Sequence, residues 1–232
     1  MDLIWQGIVQ AFQLLIHGDP EMLRVAALSL EVSLGATVVS LILGVTSGTV
    51  IGLNEFIGRR FIISLVNTGM GLPPVVVGLV VMIFLWRSGP LGFLHILFTP
   101  TAMVIAQVII SFPIITGFTM ASIQQLDPKL RLQILALGAS RFQYLWLILK
   151  EARLPLLAAV MAGFGGIISE VGASQMVGGN IMDQTRVLTT AIVMESGRGN
   201  FGLAIALSVI LMILVYVVNL ALTMIQQRTK AH

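Results

Sequence analysis

The sequence predicts an all-α integral membrane protein with five transmembrane helices, or six if the N-terminal stretch also crosses. Of its 232 residues, 57% are hydrophobic and only 10% are charged, whereas soluble domains carry roughly 25% charge. The windows 32–54, 61–86, 88–126 and 199–227 contain no Asp, Glu, Lys or Arg, and 154–177 contains only Glu170. Each is long enough to cross a bilayer core of about 30 Å, which takes about 20 helical residues. Five or six crossings leave no room within these residues for a soluble catalytic domain. The formal charge of +3 is spread along an apolar chain without aromatic interleaving, so it reads as topology and not as a nucleic-acid surface. With no cysteine, disulfides, thiolate metal sites and thiol catalysis are excluded.

The elements follow in order. Residues 1–21 are expected to form an amphipathic interfacial helix: the apolar stretch 3–16 reaches only about 21 Å as a helix, and Gln6, Gln10, Gln13 and His17 recur at helical spacing as a polar stripe. Asp2 stands where a secretory signal would carry positive charge. The membrane body, 22–227, holds expected spans at 24–53, 62–86, 100–123, 155–177 and 201–225, followed by a tail at 228–232. In the first, Gly44, Gly48 and Gly52 form two overlapping G-x-x-x-G units that let another helix approach closely; Gly163, Gly165 and Gly166 are expected to serve the same way. Pro73-Pro74 removes two backbone donors at membrane depth, leaving either a kink or a break that lines a pathway. Gly89, Pro90, Gly92 and Thr99-Pro100 mark a loop before the third span.

Placing the positive charges sets the orientation. Arg59, Arg60, Lys129, Arg131, Arg141, Lys150, Arg153, Arg228 and Lys230 fall on one side, against Arg24, Arg87, Arg186 and Arg198 on the other. The richer side is read as cytoplasmic, with the N-terminus outside.

The loop 124–153 reads as a helical hairpin. Asp127 caps a helix opened by Pro128, Gly138 ends it, and Ser140 caps a second helix running toward Arg153. Leu130, Ile134 and Leu137 are expected on one face of the first helix.

Ala136-Leu137-Gly138-Ala139-Ser140-Arg141, followed by Leu154-Pro155, resembles the cytoplasmic loop of bacterial ATP-binding cassette (ABC) importer permeases of type I, the MetI-like fold. Leu132, Gln133 and Ile134 stand at that family's Glu-Ala-Ala positions, and the interval from Gly138 to Pro155 is about one helical turn longer than is usual there. Ile168-Ser169-Glu170-Val171-Gly172-Ala173 and Met176-Val177-Gly178-Gly179-Asn180-Ile181 resemble the molybdate, sulfate and tungstate group, most of all the tungstate permeases. The resemblance implies a homodimer in the bacterial inner membrane. It also implies two cytoplasmic ATPase subunits seated on the hairpins at Ala136, Leu137, Gly138, Ala139, Ser140 and Arg141, and an extracytoplasmic oxyanion-binding protein. ATP and Mg would belong to the ATPase partner; this chain would bind no cofactor.

The residues agree with a passive partner in an active process. No G-x-x-x-x-G-K-[ST] phosphate loop occurs, so the chain is not by itself an enzyme, and the three histidines lack metal-ligand spacing. Glu31 and Glu170 are the ionisable groups expected within spans, and carboxylates would repel an anionic cargo. Glu170 therefore reads as a hydrogen-bond acceptor or gate. Neutral donors suit a passing dianion better, which makes Asn67, Thr68, Ser169, Ser174, Gln175 and Asn180 the pathway candidates. Arg186 and Arg198 either attract an oxyanion outside or pair with Asp183 and Glu195. A molybdate or sulfate permease would share this architecture, while an ATP-independent channel or carrier predicts charge relays or repeated halves.

Overall fold

The structure is a computed structural model that describes residues 2–230. Residues 231 and 232 of the expected tail, and Met1, lie outside the described residues. The described chain is helical with no strand: α1 Asp2–His17, α2 Pro20–Leu53, α3 Arg59–Met70, α4 Pro74–Leu85, a 3-10 turn Gly92–Leu94, α5 Pro100–Gln124, α6 Pro128–Ala136, α7 Arg141–Glu151, α8 Arg153–Ile168, α9 Gly172–Gly178, α10 Leu188–Gly197 and α11 Phe201–Lys230.

One local device starts three of these helices. Asp19, Thr99 and Asp127 each precede a proline, and each side chain accepts a hydrogen bond from an N–H of the first turn, at Met22, Ala102 and Lys129 respectively. The acceptor satisfies an orphan donor, and the proline fills a position whose own N–H would be orphaned.

α2 and α5 form the centre of the molecule. A Cβ on Gly44 would lie 2.8 Å from Cγ2 of Ile115, so the glycine face of α2 admits α5 to backbone contact. Around this pair, Val32 and Ala36 of α2, Met103 and Ala106 of α5, Ile167 of α8 and Val177 of α9 are buried in one cluster. Gly163 joins α8 to the same seam, its Cβ position 3.0 Å from Cγ1 of Ile115, but Gly165 has nothing within 4 Å and Gly166 only the tip of Ile114. Within this chain, then, only Gly163 of the three makes a close helix approach, and Gly166 reaches α5 only at 4.0 Å.

Among the described residues three helices, α2, α5 and α11 through Gln227, are long and apolar enough to cross a membrane, and there are up to five spans if each of two bent pairs counts as one. The first pair, α3 and α4, meets at 103°. In a continuous helix Pro74 could not donate to the carbonyl of Met70 and its ring would crowd that carbonyl, while Pro73 disfavours helical geometry at Leu72. Of the two sequence alternatives, a structural kink and a break lining a pathway, the helix is broken here. The second pair, α8 and α9, bends by 59° across 169–171.

α1 lies against α11. Ala11 is fully buried, and a Cβ on Gly7 would fall 2.6 Å from the Ile205 side chain. Gln6, Gln13 and His17 are exposed, but so are Trp5, Phe12 and Ile16. The small residues, not the polar stripe, choose the packing face. α10 occupies the connection between α9 and α11, and its Leu188 and Ala191 pack with Met22, Val25 and Leu207.

Candidate functional site

At one end of α2, Leu53 packs into a small core built by Ile123, Ile134, Ile148 and Ala152, and this core holds the α6–α7 hairpin. Arg131 ties α6 back to α5 by donating from Nη2 to the Ile123 carbonyl at 2.5 Å. At the hairpin tip Gly138 has φ +75°, and its N–H donates to the Leu135 carbonyl at 3.0 Å. The left-handed glycine ends α6 and turns the chain. Ser140 then opens α7 with a capping box: its hydroxyl accepts from the Gln143 N–H, and the Gln143 side chain accepts from the Ser140 N–H.

This turn changes one expectation. Leu130 and Ile134 do face the hairpin core, but Leu137 lies beyond the last turn of α6 and is 88% exposed. Leu132, Leu135 and Phe142 are exposed beside it, and Ala136, Gly138, Ser140 and Arg141 are exposed too, with Ala139 half-buried. The tip is an apolar surface with basic residues at its margins.

The second constellation surrounds the α8–α9 break. Ser169 donates its hydroxyl to the Gly165 carbonyl at 2.9 Å, and Glu170 Oε1 accepts from the Ala173 N–H at 3.0 Å. The carboxylate thus satisfies a free donor at the start of α9, and Thr189 donates to the Glu170 carbonyl at 3.1 Å. Ser174 is buried, at 1% exposure, facing Gln107 of α5. Gln175 is exposed on a groove of about 670 Å³ that Asn180, Thr190, Met176 and Met194 also line. Asn180 sits at φ 53°, and its Oδ1 accepts from the Thr190 hydroxyl at 3.0 Å. Of the six pathway candidates, Ser169, Ser174, Gln175 and Asn180 are gathered on and around α9, together with the gate candidate Glu170. Asn67 and Thr68 are exposed near the end of α3, where the Thr68 hydroxyl is spent on the Ser64 carbonyl.

Gln107 is a residue that sequence reasoning passed over. It is 3% exposed, and its Nε2 lies 3.4 Å from both the Ile167 carbonyl and the Ser174 hydroxyl. Its only signal in the sequence is that it is the one carboxamide within the span 100–123.

At the other end of α2, about 50 Å along a 34-residue helix, the arginines are paired within the chain. Arg186 contacts Glu21 at 3.4 Å, Arg24 contacts Asp183 at 3.2 Å, and Arg198 contacts Glu195 at 3.0 Å. Arg186 therefore pairs with α2 and not with its sequence neighbour Asp183. Glu195 is buried and also accepts from Asn200 Nδ2 at 2.7 Å, closing the turn from α10 to α11. Among the described residues no group of three His, Asp or Glu side chains is placed to hold a metal.

Comparison with known proteins agrees with this geometry. Over 227 residues the chain is 37% identical to a tungstate uptake system permease protein of Peptoclostridium acidaminophilum, covering 98% of this chain and 100% of that one. A probable anion ABC transporter permease protein of Haloferax volcanii is 40% identical over 203 residues, covering 85% and 88%. The tungstate uptake permease of Campylobacter jejuni is 33% identical over 219 residues, covering 94% and 92%. In fold, the chain is similar to a subunit of the MetNI methionine ABC transporter in an inward-facing conformation, with TM-score 0.68 and 18% identity over 90% of this chain and 94% of that one. An amino acid ABC transporter gives the same TM-score at 17% identity, covering 94% and 98%. Residues 22–231 match a single family throughout. With its broken spans, its capped hairpin and this end-to-end likeness, the chain belongs to the binding-protein-dependent transport system inner membrane components, the permease subunits of ABC importers.

Proposed function

We propose that this permease carries an oxyanion, with tungstate as its cargo, driven by a separate ATPase and supplied by an extracytoplasmic binding protein. The observation that carries the reading is the full-length likeness to a tungstate uptake permease, joined to a hairpin tip that exposes Leu132, Leu135, Leu137 and Phe142 to water. Exposed apolar side chains on a turn fixed by Gly138 and Ser140 are suited to a partner's groove. Two copies of the chain would enclose the pathway, and two ATPase subunits would each seat one hairpin, with the C-terminus on their side of the membrane.

Within that assembly the neutral donors near α9 suit an anion. Gln175 and Asn180 present carboxamides on the groove, which attract a dianion without holding it. Glu170 has its carboxylate directed to the Ala173 N–H, so its charge is balanced by a helix start and not presented to cargo. Ser174, buried against Gln107, belongs to the support of the path and not to its surface.

Uptake into proteoliposomes holding this chain, its ATPase and its binding protein tests the cargo. ATP-dependent tungstate accumulation that persists in excess sulfate and molybdate is the expected outcome. Preferential uptake of either competitor would move the assignment to that oxyanion.

A further inference from the structure

Gln107 stands where two helices part. In an unbroken helix the Ile167 carbonyl would accept from the N–H of Val171; here α8 stops at Ile168 and α9 restarts at Gly172, leaving Ile167 with a short turn bond from Glu170 at 3.1 Å. Gln107, reaching across from α5, directs Nε2 to that carbonyl and to the Ser174 hydroxyl, each at 3.4 Å. One nitrogen therefore touches the last turn of α8 and the first turn of α9. The carbonyl can only accept, which fixes the nitrogen, and not the oxygen, on this side.

The other half of the carboxamide is unused. Gln107 Oε1 is buried and has no hydrogen-bond partner, an unfavourable state for a polar atom. A bend held by two long hydrogen bonds, with an idle acceptor beside it, has the makings of a two-position element.

We propose that Gln107 is a positioning residue for transport: it sets the α8–α9 bend from the rigid α2–α5 core, and Oε1 takes up a donor when the bend changes. The inference rests on the proposed function, in which the ATPase drives the hairpin. The route is continuous. α7 ends at Glu151 and α8 begins at Arg153, so displacement of the hairpin acts along α8 on residues 169–171. Beyond the bend, α9 leads into the 181–187 turn, which Thr185 fastens to α9 through the Gly178 carbonyl at 2.5 Å. That turn is joined to the start of α2 by Arg24–Asp183 and Arg186–Glu21. Gln107 is placed to decide how much of a push on α8 becomes movement of the opposite end.

The absence of cysteine allows spin labels at Ala158→Cys on α8 and Gln184→Cys beyond α9, both exposed positions, to report the bend. Gln107→Leu keeps the volume and removes the hydrogen bonds; Gln107→Glu, neutral when buried, retains a donor and an acceptor. The expected result is a shifted or broadened label distance in Gln107→Leu, and about a tenfold fall in oxyanion moved per ATP, the size of ordinary allosteric coupling. Gln107→Glu should restore both. A folded Gln107→Leu protein with the wild-type distance distribution overturns the proposal, as does a Glu variant that restores neither readout. The distance is measured on the chain without its ATPase, so it stands or falls separately from the assignment of the hairpin.

Discussion

Gly48 of α2 lies so close to Thr116 of α5 that a Cβ on it would sit 2.6 Å from the Thr116 carbonyl oxygen and 2.7 Å from Cβ of Thr119. Backbone cannot yield as a flexible side-chain tip does. Gly48→Ala should therefore destabilise by about 1–3 kcal/mol, the usual cost of overpacking. Gly35→Ala, on the same helix but with Val104 Cγ2 of α5 no nearer than 3.9 Å, should be neutral or stabilising. Thermal unfolding midpoints in detergent check the pair, and equal effects would remove the close seam from the account.

Glu170 separates a capping role from a charge role. Loss of its bond to the Ala173 N–H in Glu170→Ala should cost about 1 kcal/mol. Glu170→Gln keeps an acceptor oxygen and should retain most stability and uptake. Uptake lost in Glu170→Gln at full stability would show that the charge itself is required.

The ion pairs at the far end of α2 differ by burial. Arg24 and Asp183 are both largely exposed, at 71% and 55%, so Arg24→Ala should change stability by no more than about 1 kcal/mol. Glu195 is 8% exposed and holds both Arg198 and Asn200. Glu195→Ala removes two hydrogen bonds to a buried charged acceptor and should cost about 1–3 kcal/mol. Denaturation of the two variants in parallel tests the ranking.

At the hairpin, Gly138 has open space around its Cβ position but φ +75°. Strain, not crowding, governs substitution there. Gly138→Ala should cost about 1–2 kcal/mol of hairpin stability, and Gly138→Asn, which tolerates the left-handed region, should cost less. Hydrogen exchange across 128–151 reads the difference.

These contrasts show where the sequence was legible. Acceptor-proline pairs at Asp19, Thr99 and Asp127 and the capping residue Ser140 are local signals, and the helices begin at them. The G-x-x-x-G face is periodic, and it meets α5. Leu137 escaped the pattern because helical spacing assumes the helix continues, whereas α6 ends one residue earlier. Gly165 and Gly166 escaped it because a small residue marks the capacity for close approach and not the presence of a neighbour. Gln107, Ser174 and Ile167 are separated by about sixty residues or more from α5 to the break, and no local pattern announces that meeting. The pairing of Arg186 with Glu21 is likewise a product of the way α2 returns beside the 181–187 turn.

In the proposed assembly a separate ATPase drives oxyanion movement through the tip formed by Leu137, Gly138 and Phe142. Gly138→Asp places a charge on that exposed apolar surface at a backbone angle that aspartate tolerates. ATP-dependent tungstate uptake should be measured in proteoliposomes made with the wild-type chain and with this variant, alongside the amount of ATPase each retains through purification. Robust uptake and stable ATPase association are expected for the wild type, with loss of both in a folded variant. Full association and full uptake in Gly138→Asp would contradict that assembly.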